Sequence, residues 1–207
     1  MKNILLITNI YPINDPSYEG TEVCHYFAKE WIKMGYNIQV VHFESLFPKI
    51  YYVIGKHLNS YLKALTGCVL YTKTPPFPKR YMVEEVPVFF VPIRKLIPHR
   101  RFSNKRMRGA FDEVINFLET CAFIPDAVLG HFVLPQLEFL YMFKQKFPGV
   151  KTSMVLHSAG ERITDVYGTD HEKFMEAVDI WGFRSIAFQK KFESLYGQYK
   201  NEFLCYS

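Results

Sequence analysis

Long hydrophobic runs are missing from this chain of 207 residues. None approaches the roughly 18 to 20 apolar residues that a helix needs to cross a bilayer. Charge and strand-like residues follow Met1 directly, so the reading expects no secretory signal. Cysteine is scarce. Cys24, Cys68, Cys121 and Cys205 are widely spaced, with no CxxC pair and no histidine at ligand spacing. That excludes a zinc module and a disulfide framework, and predicts idle thiols in a reducing cytoplasm. With 11 Gly and 12 Pro, the chain also lacks the composition of a disordered segment. No GxGxxG, GxxxxGK[ST] or GxSxG occurs. Dinucleotide enzymes, P-loop enzymes and serine hydrolases are therefore disfavoured.

What is abundant is aromatic and basic. Nineteen Phe and 14 Tyr predict a core of large planar side chains. The net charge is +5 and uneven: Arg94 to Arg108 holds seven Lys/Arg, one His and no acid. Such a block is a solvated face, or a surface attracting lipid, nucleotide or carrier phosphates. It matches no base-reading module, so nucleic acid is not expected as a partner.

Hydrophobic periodicity predicts strands at Asn3–Thr8, Asn37–Phe43, Val86–Val91, Pro125–Gly130, Lys151–Leu156, Asp179–Phe183 and Glu202–Tyr206. Pro87 suggests that its strand is an edge or carries a bulge. Helices are predicted over Thr21–Met34, with Val23, Phe27, Trp31 and Met34 apolar, and over Ser103–Cys121, with Met107, Phe111, Val114, Ile115 and Leu118 apolar. Further helices are predicted over Leu134–Phe147, His171–Ala177 and Ser185–Tyr196, with an irregular, Tyr-rich one over Pro48–Leu70. Strands alternating with helices mean an α/β fold, doubly wound, with a mostly parallel Rossmann-like sheet. No internal linker divides residues 1–207.

Ligands of open α/β sheets lie beyond the carboxyl ends of the strands. Three loops there carry candidate residues. Gly20 and Thr21 close the first loop on a helix N-terminus, where backbone N–H groups and the helix dipole attract anions; a turn glycine with a capping Thr is the plainer reading. His131 follows the PDAVLG strand, and His157 with Ser158 follows TSMVL. Either histidine alone is as well read as a hydrogen-bonded structural group; two at equivalent strand ends suggest a shared cleft. His25, His42, His57, His99 and His171 lack that context and are read as structural or surface. Asp165, Asp170, Glu172, Glu176 and Asp179 match no metal loop and read as a solvated face.

In this order the loops resemble those of family 4-type GT-B glycosyltransferases. NILLITNIYPINDPSYEGTEVCHYFAKEWIKMGYNIQVVHF is similar to the family's opening strand, loop and glycine-led helix, PDAVLGHFVLP to its PD-IH-H---P segment, and SMVLHSAG to its --T-HG- segment. WGFRSIAFQKKFESLYG is similar to a later strand and helix with an Arg-Ser pair at Arg184 and Ser185. Glu19 stands where many members have a first glycine, and Leu129 where they have an earlier histidine.

The resemblance implies an N-terminal, acceptor-side domain over residues 1–207, with a donor-binding domain expected beyond it. It implies retaining transfer from a nucleotide sugar to a glycan or lipid-linked acceptor, as in bacterial polysaccharide biosynthesis, with no metal and no other cofactor. His131 would contact the transferred sugar as the catalytic candidate. Gly20 and Thr21 would meet the donor diphosphate or the acceptor, His157 and Ser158 would line the acceptor cleft, and Arg184 would sit near the interdomain face. The chain would be cytoplasmic, at the inner face of the cell membrane, with Arg94 to Arg108 touching anionic lipid. A sugar-nucleotide 2-epimerase of the same fold and a non-catalytic flavodoxin-like module are the alternatives.

Overall fold

A computed structural model describes residues 2–13, 21–50, 79–97, 100–158, 163–199 and 201–204, with the helical residues Val53, Leu58 and Tyr61. Eight strands form one sheet: β1 (Asn3–Thr8), β2 (Asn37–Leu46), β3 (Arg80–Val83), β4 (Val86–Arg94), β5 (Ala127–His131), β6 (Lys151–Leu156), β7 (Ile180–Phe183) and β8 (Glu202–Leu204). Their spatial order is β3-β4-β2-β1-β5-β6-β7-β8. Every pairing is parallel except β3 with β4. The order runs outward from β1 in both directions, as a doubly wound sheet requires.

Strand β3 was missed because RYMV is short and two of its residues are exposed. It moves the edge: β4 is an inner strand, contrary to the reading of Pro87. The proline is tolerated because the ladder with β2 begins one residue later, at Val88.

Alternation along β1 sorts the core. Leu5 and Ile7 face one cluster and Leu6 the other, all fully buried; each such burial is worth about 2 kcal/mol. The larger cluster holds α2 (Asn104–Thr120), α3 (Gln136–Lys146) and Phe192 of α6 (Ile186–Tyr196). All five predicted apolar positions of α2 are buried. Aromatic pairs fill this layer, with Phe89 stacked on Phe117 at 4.1 Å and Phe43 against Phe139 at 4.4 Å.

Helix α1 (Val23–Lys33) covers the opposite face through Cys24, His25 and Ala28. The predicted stripe is thus rotated: Val23, Phe27 and Trp31 are half-buried and Met34 is exposed. The sheet face under α1 takes small residues and leaves Phe27 and Trp31, stacked at 6.0 Å, over its flank. After β6 come α4 (Ile163–Tyr167), which periodicity does not predict, a 3₁₀ turn (Gly168–Asp170) and α5 (His171–Met175). The Tyr-rich stretch from Pro48 lies mostly outside the described residues, as do Gly20, His57, Cys68, His99 and Cys205.

Two acids read as solvated are engaged. Asp179 accepts from Lys144 Nζ and from the Thr152 backbone N–H, tying β7 to β6. Asp170 accepts from Arg101, whose guanidinium also forks onto the buried Glu138 at 2.8 and 3.0 Å. Arg101 further stacks over Phe174. One cation of the basic block is therefore a structural clamp rather than a free surface charge.

Candidate functional site

Register brings polar side chains into a row across the carboxyl edge of the sheet. Thr8 aligns with His42 on β2. The β1–β5 ladder ends at Ile7 with Gly130, which places Thr8 beside His131. His131 in turn aligns with Val155 on β6. Because side chains alternate, these residues share the face under α1. Thr8 Oγ1 lies 3.5 Å from Cys24 Sγ, and the Phe27 ring sits 5.5 Å from His131.

Two predicted site residues meet here. His131 Nδ1 and His157 Nε2 are 3.0 Å apart, one ring donating its N–H and the other accepting. Burial, followed by the neighbouring His157 and the Arg184 charge, lowers the His131 pKa to about 3. Burial and then Arg184 lower that of His157 to about 4. Both rings are therefore neutral near pH 7. They can hydrogen-bond a hydroxyl but are poorly suited to deliver a proton as imidazolium. His131 is fully buried, and its Nε2 meets no hydrogen-bond partner among the described residues.

The surrounding loop holds this pair rigidly. Phe132 adopts φ +70°, in the left-handed region that a non-glycine residue enters at a cost. That turn lays its ring on His157, with centroids 4.1 Å apart and planes 16° apart. Gly130, two residues earlier, is closely enclosed: a Cβ there would stand 3.2 Å from both Gln136 Cβ and Met154 Cε. Gln136, with its carboxamide oxygen toward β1, accepts from the Asn9 N–H at 2.8 Å and donates to the Leu134 carbonyl. It joins the loops that follow β1 and β5. Asn9 Oδ1 is also buried and unpartnered among the described residues. Gln136 carries no motif, and only the fold reveals its role.

Thr21 accepts from the Val23 N–H at 3.3 Å, one residue ahead of the Glu22 N-cap of α1. Ser158 is exposed directly after His157, and Arg184 is exposed at the end of β7. Among the described residues, three of the histidines set aside as structural or surface have polar partners. His25 bonds the buried Tyr11 hydroxyl at 2.9 Å, and His42 bonds Tyr81 at 3.0 Å. Burial drives the His42 pKa to about 3. His171 pairs locally with the Gly168 carbonyl.

A residue the sequence reading missed is Glu44, beyond the end of β1 on the same face as His42. Burial raises its carboxyl pKa to about 7. A single Glu near a strand end carries no signal in sequence. No group of three or more His, Cys, Asp or Glu among the described residues could hold a metal ion.

No family model matches the chain, and no curated protein sequence matches it. Solved structures do. A sucrose-phosphate synthase structure from Thermosynechococcus elongatus superposes with a TM-score of 0.56 at 9% identity, over 100% of this chain and 89% of that one. An α,α-trehalose 6-phosphate synthase from Burkholderia multivorans superposes at 0.51 and 13% identity, over 94% of this chain and 43% of that one. The shared fold is the GT-B Rossmann-like unit. At these identities the likeness fixes the architecture and nothing finer. The chain spans less than half of the second protein. Among the described residues, no helix is long and apolar enough to cross a membrane.

Proposed function

We propose that this domain is the acceptor-side half of a GT-B glycosyltransferase. On this reading it moves a sugar, with retention, from a nucleotide-sugar donor to a glycan or lipid-linked acceptor at the inner face of the cell membrane. One observation carries the reading: the neutral His131–His157 pair sits at adjacent strand ends, with a buried imidazole nitrogen that no described residue satisfies. A neutral imidazole next to a cationic Arg184 suits hydroxyl groups of a sugar, which are uncharged donors and acceptors. The Arg184 charge at the end of β7 suits the phosphates of the donor. A second Rossmann-like domain holds the nucleotide in this reading, and no further cofactor is called for. Gly20 and Thr21 supply backbone N–H groups at the head of α1, and Ser158 lines the acceptor side. The family assignment within the GT-B fold is part of the proposal.

Glu44 supports one second reading. A carboxyl titrating near pH 7 at the cleft edge suits proton abstraction from a sugar carbon, as a sugar-nucleotide 2-epimerase of this fold requires.

The test uses the protein together with any donor-binding domain encoded after it, incubated with a panel of nucleotide sugars and saccharide acceptors. Transfer releases a nucleoside diphosphate and needs the acceptor, whereas epimerisation leaves the nucleotide sugar intact and needs none. His131→Ala should lower kcat/KM for transfer about a hundredfold in protein that still unfolds cooperatively. Near-wild-type turnover would remove His131 from the site.

A further inference from the structure

The hydrogen between His131 and His157 can belong to either ring. In one arrangement His157 Nε2–H donates to His131 Nδ1. A neutral imidazole carries a single N–H, so His157 Nδ1 is then bare and His131 holds its hydrogen on Nε2. In the other, His131 Nδ1–H donates to His157 Nε2, which puts the second hydrogen on His157 Nδ1 and leaves His131 Nε2 bare. The separation of 3.0 Å fits both. Neither ring can swing to exchange partners, because Phe132 lies flat on His157 and His131 is fully buried.

The order of the strands separates the two arrangements. β5, β6 and β7 lie side by side, with His131 level with Val155 and Leu156 level with Phe183. His157 and Arg184 are the next residues after that last pair, so Arg184 stands on the β7 side of His157 and His131 on the β5 side. The two nitrogens of an imidazole point away from each other across the ring. With Nε2 aimed at His131, Nδ1 of His157 is turned toward the side of Arg184. A guanidinium is always charged. It attracts a bare nitrogen and repels an N–H, and hydrogen-bonded rings pass that polarisation on. Solvent screens the exposed Arg184 and weakens the preference without reversing its sign.

We propose that Arg184 is a positioning residue: its charge orients the hydrogens of the histidine pair so that buried His131 presents an Nε2–H donor. That nitrogen has no hydrogen-bond partner among the described residues. A buried N–H without an acceptor is costly, so the position calls for a ligand oxygen with a lone pair and rejects groups that only donate, such as an ammonium. That the oxygen is a sugar hydroxyl rests on the transferase reading; the direction of the hydrogens does not. A phosphate bound at Arg184 would cancel the bias, so the assignment holds for the protein before a donor arrives.

The test is long-range proton–nitrogen correlation NMR on the full chain with isotope-labelled histidine, in phosphate-free buffer near pH 7. A bare imidazole nitrogen resonates well downfield of one that carries hydrogen. Signals are assigned by their loss in His131→Asn and His157→Asn. Wild type should carry hydrogen on Nε2 of both rings. Arg184→Gln removes the charge at similar length, and should move His131 Nε2 downfield and His131 Nδ1 upfield. Arg184→Lys should restore the wild-type pattern, and melting curves confirm that both variants are folded. Hydrogen on His131 Nδ1 in wild type overturns the proposal without recourse to any Arg184 variant. So does a wild-type pattern in folded Arg184→Gln, or a folded Arg184→Lys that matches Arg184→Gln, since charge would then not be what orients the pair. The spectra need no substrate, so their outcome is separate from that of the transfer assay.

Discussion

Replacing His131 by Asn tests whether the buried imidazole is held neutral, the condition on which the site's chemistry rests. In the folded protein the ring stays unprotonated down to about pH 3, because burial and the nearby His157 and Arg184 oppose the charge. In the unfolded chain it takes up a proton below its ordinary value of 6.5. The unfolded state therefore binds more protons between those two values. The histidine's contribution is fully present above pH 6.5 and is lost as pH falls toward 3. From pH 7 to pH 5 the loss is about 2 kcal/mol, at 1.36 kcal/mol per pH unit once the unfolded ring titrates. That is a large part of a typical stability of about 5 to 15 kcal/mol. The wild-type curve alone cannot isolate it, since His42 and His157 are lowered in the same way and Glu44 runs the other way. Its raised pKa of about 7 favours the folded state as pH falls from 7 toward 4.5, by about 2 kcal/mol down to pH 5. The difference between wild type and variant isolates the histidine. Urea unfolding followed by fluorescence of the buried Trp181 should show the stability gap between wild type and His131→Asn shift by about 2 kcal/mol in the variant's favour at pH 5 relative to pH 7. A gap independent of pH would mean that the ring is not kept neutral by its surroundings, and the hydroxyl-binding role would fall with it.

Gly130→Ala should destabilise by about 1 to 3 kcal/mol, because its Cβ meets Gln136 and Met154 at 3.2 Å; an unchanged midpoint in urea would show that this loop yields freely. Glu138→Ala leaves Arg101 with only Asp170 and opens a nearly buried position, so a loss of about 2 to 3 kcal/mol is expected in the same assay. Glu138→Gln, which keeps the volume and one acceptor, should recover part of it, and no recovery would assign the loss to the missing negative charge opposite Arg101.

Most of the fold could be read because buried parallel strands write themselves as short apolar runs. NILLIT, NIQVVHF and KTSMVL needed no tertiary information, since both faces of each strand are covered. The amphipathic stripe of α2 was equally plain. Strand β3 was not, because an edge strand of four residues with half its side chains exposed has no pattern to show. The stripe of α1 misled for a related reason. The sheet beneath it takes Cys24 and Ala28, and small residues contribute little to a hydrophobic periodicity. Asp170 and Asp179 looked solvated because their partners, Arg101 and Lys144, lie 69 and 35 residues away in the chain.

The candidate site divides in the same way. His131 and His157 could be chosen from sequence because each ends an apolar strand, and strand ends are where open sheets bind ligands. Their 3.0 Å approach, their neutrality and the unpartnered Nε2 are consequences of burial and of β5 lying beside β6. Sequence by itself determined most of the elements, the parallel sheet and which loops gather at its carboxyl edge. Those depend on local periodicity and on crossovers short enough to be read along the chain. Only the tertiary structure decided which side chains are desolvated, which charges are already paired and on which side of His157 Arg184 stands, because pKa, partner and placement depend on neighbours that are distant in sequence.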